Sequence, residues 1–266
     1  MSRVVILGSA YSIPNEAHGN THLAVVTEDR AVLIDAVGDT LIRLEKVGIL
    51  AVNLDDLILT HFHPDHASGF PLLIMDMWLL GRKKPLDVYG LAHTIDRVEA
   101  MMELYEWNTW KNLFPVTFHR IPDIELSPVI SMETLAITAS PVKHFIPAIA
   151  LRMAFPDSGE TVTYSGDTAF CPQIINLSQG SDALVHEASG ASEGHSSARQ
   201  AGEVARAAGA KSLYLIHYPP EKAAAGELEN EAKETFAGPV YLARDFMHID
   251  IPIGEKGPYE SNGMNP

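Results

Sequence analysis

The chain has 266 residues, of which 46% are hydrophobic, enough for the core of one α/β domain of ordinary size. No apolar run approaches the ~18 residues that a membrane span needs, and a single cysteine excludes an intrachain disulfide. The formal net charge of −15 repels nucleic-acid phosphates on average, which argues against a large RNA or DNA footprint.

Residues 4–8 predict a first buried strand, followed by a polar loop over 9–21 that holds Pro14 and Gly19. The start, Met1-Ser2-Arg3-Val4, enters that strand directly; with no signal-peptide pattern and one cysteine, it predicts a cytoplasmic protein. Residues 22–27 and 31–35 predict two strands joined by a turn. Residues 36–48 carry Leu41, Leu44 and Val47 at helical spacing, with Gly48 as a C-terminal stop. The apolar segment 56–60 reads as a buried strand, a His-rich turn with Pro64 follows, and 67–80 reads as a helix. Residues 86–90 predict a strand and 93–107 a helix. Residues 101–114 hold Met101, Met102, Tyr105, Trp107, Trp110 and Phe114, a concentration that reads as core or a homodimer face, or more sharply as a wall over the site.

Strand-like runs follow at 116–121, 132–142, 148–155 and 161–165, the last two joined by the hairpin turn 156–159. From residue 172 strand and helix alternate: strand 182–186, helix 197–209, strand 211–217, and closing strands at 240–243 and 246–251. The Gly-, Pro- and Asn-rich tail from Gly254 reads as loose. No linker interrupts the chain, so 1–266 reads as a single domain of two mixed sheets packed face to face, with helices outside.

The chemistry concentrates at His61-Phe62-His63-Pro64-Asp65-His66. His61 and His63, two apart, point the same way from an extended turn; Asp65 and His66 fall where the chain begins to curl, beside a neighbouring spot. That pattern suits two adjacent metal ions, since neutral imidazole is the commonest zinc ligand and carboxylate oxygen also serves. Three further candidates end apolar strands: His144, Asp167 and His217.

The hexapeptide resembles the His-x-His-x-Asp-His signature of the metallo-β-lactamase superfamily, and Ser165-Gly166-Asp167-Thr168 resembles its Ser/Thr-Gly-Asp-Thr segment. Gly8-Ser9-Ala10, His66-Ala67-Ser68-Gly69-Phe70-Pro71, Pro85-Leu86-Asp87-Val88-Tyr89-Gly90, Val185-His186-Glu187-Ala188, the helix entry from His195 to Ala201, and His217-Tyr218 are similar to the ribonuclease Z group and its small phosphodiesterase relatives. The resemblance implies a four-layer αβ/βα sandwich with metals at one edge. It assigns His61, His63 and His144 to a first ion, Asp65, His66 and His217 to a second, and Asp167 as the bridge. It makes His195 the proton donor to the leaving group, steered by Glu187, and gives Asp35 a supporting role behind the ligands. The ligand set suits two divalent ions, zinc first, with manganese or iron as alternatives.

One departure stands out. Ribonuclease Z carries a long basic tRNA-binding arm between the residues matching His144 and Asp167, whereas here 22 residues separate them, enough for two strands and a turn. The expectation is therefore a phosphodiesterase acting on small molecules through a metal-bridging hydroxide, with Asp65 also orienting the attacking water. An ester, lactone, thioester or β-lactam hydrolase is the alternative, a non-catalytic metal-binding module a further one; the partner expected is a small-molecule substrate, with no large nucleic-acid footprint and no membrane. An oxygen-reducing di-iron protein would carry a Glu ligand and a flavin domain, and neither is seen. His22 and His186 read as structural and Cys171 as a buried apolar residue. His18, His93, His119 and His248 have no motif around them.

Overall fold

A computed structural model describes residues 2–223 and 226–252; the expected loose tail lies outside the described residues. Two seven-stranded sheets face each other. The first has the order β14-β1-β2-β3-β4-β5-β6 and the second β13-β12-β11-β10-β9-β8-β7. In the first, β1 (Arg3–Gly8), β2 (His22–Val26) and β3 (Ala31–Ile34) are antiparallel, and β4 (Asp56–Ile58), β5 (Leu86–Leu91) and β6 (Val116–Ile121) continue in parallel. The second repeats the scheme. Its antiparallel strands are β7 (Ser127–Ser131), β8 (Ala136–Val142), β9 (Ala148–Phe155) and β10 (Glu160–Tyr164). Its parallel strands are β11 (Ala183–Glu187), β12 (Leu213–Ile216) and β13 (Val240–Leu242).

The apolar faces of both sheets meet in one core, to which Ile6, Val25, Ile34 and Ile58 contribute from one side and Ile137, Leu151, Val162 and Val185 from the other. Helices cover both outer faces, because parallel strands are apolar on both sides and need a second cover. Over the first sheet lie α1 (Thr40–Lys46), the short α2 (Pro64–Ala67), α3 (Phe70–Leu79) and α4 (Ala92–Leu104); over the second lie α5 (Pro172–Leu177), α6 (Ala198–Ala208) and α7 (Glu227–Lys233). This is the expected four-layer αβ/βα sandwich. Among the described residues no helix is long and apolar enough to cross a membrane.

Several boundaries differ from expectation. The helix expected over 67–80 is two: α2 starts earlier, with Pro64 in its first turn and Ser68 as its C-cap, and Gly69 is the N-cap of α3. The helix expected from residue 36 begins at Thr40, because Asp35 takes a positive φ of 64° and the backbone of Ala36 bonds instead to His66 and Gly69 in the next segment. The two closing strands part company: β13 ends the second sheet, and β14 (His248–Asp250) crosses to pair with β1. The aromatic stretch packs mainly on the outer face of the first sheet: Met102 and Phe114 are buried, and Trp110 stacks on Trp78 with centroids 5.2 Å apart. Leu104 and Tyr105 stay exposed.

Candidate metal centre

Because β8 and β10 both run antiparallel to β9, they share a direction with β11 and β12, and their carboxyl ends meet those of β3 and β4 at one edge. Ligands bind at the carboxyl ends of strands in open α/β sheets, where successive loops splay apart. Most site residues expected from the sequence sit at or just after such an end; Asp65 and His66 lie in α2, and His195 lies in the loop before α6. Asp35 follows β3, and His61 and His63 follow β4. His144 follows β8, Asp167 follows β10, Glu187 ends β11, and His217 follows β12. Asp65 and His66 are held by the first turn of α2, anchored by His66 N–H and Ala67 N–H on His63 C=O. Ile149 N–H donates to Thr60 C=O at 3.1 Å and ties the two sheets together beneath the ligands.

Two clusters result. In the first, His63 Nδ1 lies 3.1 Å from His61 Nε2 and 3.0 Å from His144 Nε2. In the second, His66 Nε2 and His217 Nε2 are 3.4 Å apart, and Asp65 Oδ2 lies 3.5 Å from the latter and 3.8 Å from the former. Asp167 Oδ2 sits between the clusters, 3.8 Å from His61 Nε2, 3.5 Å from His66 Nε2 and 3.4 Å from His217 Nε2. A tetrahedral zinc ion, with bonds of about 2.0–2.1 Å to nitrogen, separates neighbouring ligand atoms by about 3.3–3.4 Å. Hydrogen bonding alone does not explain the convergence: His63 Nδ1 faces two ring nitrogens at once, and Asp167 Oδ1 and His217 Nδ1 are buried without partners. A divalent cation in each cluster would fit these donors, which include imidazole and carboxylate but no thiolate.

The surroundings fix which nitrogen faces inward. His66 Nδ1–H donates to Asp35 Oδ2 at 2.8 Å, and His144 Nδ1–H donates to Gly194 C=O at 2.7 Å. His61 Nδ1–H donates to Thr60 Oγ1 at 3.1 Å, and that hydroxyl donates in turn to Asp35 at 2.9–3.0 Å. One buried carboxylate thereby orients a histidine of each cluster, leaving its Nε2 lone pair for a metal. Burial depresses the basicity of His61, His63 and His144, which favours the neutral, ligating imidazole. Burial alone would raise the Asp167 carboxyl, but His217, His66 and His61 hold it well below its usual value. Burial also opposes ionisation of Asp65, and its hydrogen bond to His217 reverses that.

Beside the second cluster, His195 Nδ1–H donates to Glu187 Oε1 at 2.9 Å, and its ring stacks on His217 with centroids 5.9 Å apart. Glu187 is fully buried and also accepts from Thr168 N–H at 2.8 Å and Ser189 Oγ at 2.6 Å, so its orientation is fixed from three sides. Burial would lower the basicity of His195; the hydrogen bond and charge of Glu187 outweigh it and raise the pKa above the usual histidine value. A cavity of about 330 Å³ opens over the clusters, lined by His63, Asp65, Asp167, His195 and His217 together with Tyr11, Ser12, Phe145, Ser189 and Ser192.

No residue of 101–114 lines this cavity, so the reading of that stretch as a wall over the site finds no support there. Cys171 is buried near Thr168 and belongs to neither cluster. His186 turns its Nδ1 to a backbone carbonyl, as a structural residue would, and His22 is buried in β2. His18, which no motif marks, bonds Ser9 at 2.9 Å and Tyr218 at 3.2 Å under the His217 turn. Sequence reasoning missed Thr60 and Gly194 as orienting groups. Thr60 stands next to the hexapeptide and could have been suspected; Gly194 acts through its backbone, 50 residues from its partner, and leaves no sequence signal.

Comparison with known proteins agrees with this architecture. The family model for the beta-lactamase superfamily domain matches residues 30–218. A ribonuclease Z from Methanothermobacter thermautotrophicus is 26% identical over 314 residues, covering 97% of this chain and 99% of its own. The metallo-beta-lactamase fold protein YhfI from Bacillus subtilis superposes with a TM-score of 0.76 at 26% identity, covering 93% of this chain and 98% of that one. The short form of human tRNase Z gives 0.77 at 23% identity, covering 94% and 100%, a likeness of fold. The chain belongs to the metallo-β-lactamase superfamily, is ribonuclease Z-like within it, and is a metal-dependent hydrolase.

Proposed function

We propose that this protein is a phosphodiesterase for small phosphodiesters. In this reading two divalent ions, zinc in the first instance, are held by His61, His63 and His144 on one side and by Asp65, His66 and His217 on the other, with Asp167 between. The observation that carries the phosphodiester reading is the His195–Glu187 pair, 2.9 Å apart, beside the second cluster. An alkoxide leaving phosphorus needs a proton far more than a thiolate leaving a carbonyl does, and a fixed, readily protonated imidazole supplies one. Small substrates are supported by the 22 residues between His144 and Asp167, most of which form β9, its turn and β10. The cavity of about 330 Å³ lies at the small end of the ligand-site range of about 300–1,000 Å³.

Bound divalent ions would supply Lewis acidity and a water acidified to act as nucleophile near neutral pH. The chain's own residues do the rest. Asp35 and Thr60 hold the ligand imidazoles in one tautomer. Asp65, its second oxygen free of the His217 contact, orients the attacking water. Glu187 keeps the Nδ1–H of His195 engaged, so that Nε2 carries the proton that goes to the departing oxygen.

The test is a hydrolysis panel with Zn²⁺ and Mn²⁺ over small phosphodiesters, lactones, thioesters and nitrocefin, with metal analysis of chelator-free protein. The expected result is close to two ions per chain and preferential phosphodiester cleavage. Turnover confined to carbonyl substrates would replace the reading with an acyl hydrolase, and a single ion per chain would remove the binuclear assignment.

A further inference from the structure

We propose that Phe145 is a specificity-determining residue, whose ring stacks on a planar ring carried by the leaving group of the phosphodiester. Its side chain follows the ligand His144 directly and forms part of the lining of the catalytic cavity. It remains 55% exposed. An isolated exposed aromatic is ordinary on a protein surface. This one differs in being pinned from behind and placed beside the general-acid candidate.

The pinning comes from three neighbours. The ring makes edge contacts with His144, centroids 5.1 Å apart at 61°, and with His195, 5.6 Å apart at 63°. Gly194, at a φ of +87°, brings its backbone so close that a Cβ there would lie 3.1 Å from Phe145 Cδ2 and Cε2. The same Gly194 carbonyl holds His144, so ring and ligand are set by one loop. A rigid aromatic loses little conformational freedom on binding and is therefore an efficient platform. The remaining surface of the ring is open to the cavity and to solvent.

Its place relative to His195 decides which end of the substrate it meets. His195 must reach the departing oxygen, so the leaving alcohol lies on the His195 side of the phosphorus. Phe145, with its ring centroid 5.6 Å from that of His195, is an aromatic on that side. Tyr11, Ser12 and Ser192 also line the cavity and offer hydroxyls. The arrangement fits a leaving alcohol with a flat apolar ring and a polar remainder, as in a nucleoside. Every base presents a π-face, so such stacking selects for a planar ring and tolerates its identity. The inference rests on the phosphodiesterase reading for its catalytic arm and on geometry alone for its binding arm.

The experiment uses two substrates of the metal-loaded enzyme, the dinucleoside monophosphate of deoxyadenosine and the methyl ester of deoxyadenosine 3′-monophosphate, with products identified so that the leaving alcohol is known. Phe145→Leu is expected to lower kcat/KM about 5- to 100-fold where deoxyadenosine leaves, and less than about 2-fold where methanol leaves. Phe145→Tyr is expected to restore the wild-type preference. In parallel, deoxyadenosine binding to the metal-loaded protein, followed by NMR, is expected to weaken at least about 5-fold in Phe145→Leu. Equal losses on both substrates would make Phe145 a mere wall of the cavity and overturn the proposal, as would unchanged deoxyadenosine binding. Wild-type protein inert on both phosphodiesters but active on a carbonyl substrate would instead remove the phosphodiesterase reading, a result distinguishable because the NMR arm does not depend on turnover.

Discussion

At the scale of single residues, the two kinds of site group separate by what their loss removes. His195 lies outside both proposed ligand sets, so His195→Ala is expected to keep both ions, while the rate falls by about 10²–10⁴ on a substrate with a poor leaving group. On bis(p-nitrophenyl) phosphate, whose nitrophenolate departs without a proton, the loss should be far smaller. Asp167→Ala removes the carboxylate between the clusters, and metal content should drop together with activity on both substrates. Equal losses for His195→Ala on good and poor leaving groups would leave it a positioning role only. A second residue-scale test concerns pH. His22 is buried with its Nε2 unpartnered, and burial pushes its pKa down to about 4 from the ordinary 6.5. Since the folded pKa is the lower one, the unfolded chain takes up this proton first as pH falls, so stability is full above pH 6.5 and is lost toward pH 4. The shift corresponds to a loss on the order of 3 kcal/mol. His22→Gln should flatten that part of the profile in denaturant titrations at matched metal content, and an unchanged slope would mean another group titrates there.

At the scale of elements, the ligand positions were legible because each belongs to a short local pattern at the end of an apolar strand. The partners of those ligands and of His195 lie outside these local patterns: Asp35 and Glu187 are legible only through the family resemblance, and Gly194, which acts through its backbone carbonyl, not at all. Short elements were missed for a different reason. Helix α7 buries only Leu228 and Ala232 among acidic neighbours, and β7 is an edge strand containing Pro128, so neither shows a clear period. Nor does an apolar pattern say which sheet a strand joins, which is why the separation of β13 and β14 was not foreseen. The junction between α2 and α3 illustrates how an element holds a ligand. Ala36 N–H donates to His66 C=O at 2.8 Å and Gly69 N–H donates to Ala36 C=O at 2.9 Å, so the segment after Asp35 braces the turn that carries His66. A Cβ at Gly69 would come within 2.0 Å of Val37 O, a backbone atom that cannot swing aside. Gly69→Ala should therefore cost about 1–3 kcal/mol of stability and also weaken metal retention. Ser197→Ala, which removes the capping box of α6, should cost about 1 kcal/mol, with metal content unchanged. Thermal unfolding with metal analysis distinguishes them; parallel metal loss in both would mean that general destabilisation, not the α2–α3 brace, sets metal affinity.

At the scale of the whole molecule, charge and chain length act together on substrate choice. A protein that grips a folded RNA does so mainly by neutralising phosphates with Lys and Arg, and each such contact adds to a steep salt dependence. This chain has 19 Lys and Arg against 34 Asp and Glu. Its alignment with the Methanothermobacter ribonuclease Z runs over 314 residues, more than the 266 it possesses, so that relative carries segments this chain lacks. Between His144 and Asp167 the four-residue turn from Phe155 to Glu160 leaves nothing to project toward a distant RNA body. The metal edge would still accept a phosphodiester small enough to be held by the cavity itself. Precursor tRNA is therefore expected to remain uncut at moderate salt, under conditions where a small phosphodiester turns over. Rates on the small substrate should change little between about 50 and 200 mM salt, a range that costs an RNA-gripping protein orders of magnitude in affinity. Efficient 3′ processing of precursor tRNA at moderate salt would overturn this, and would require a cationic surface that neither the charge balance nor the β9–β10 hairpin provides.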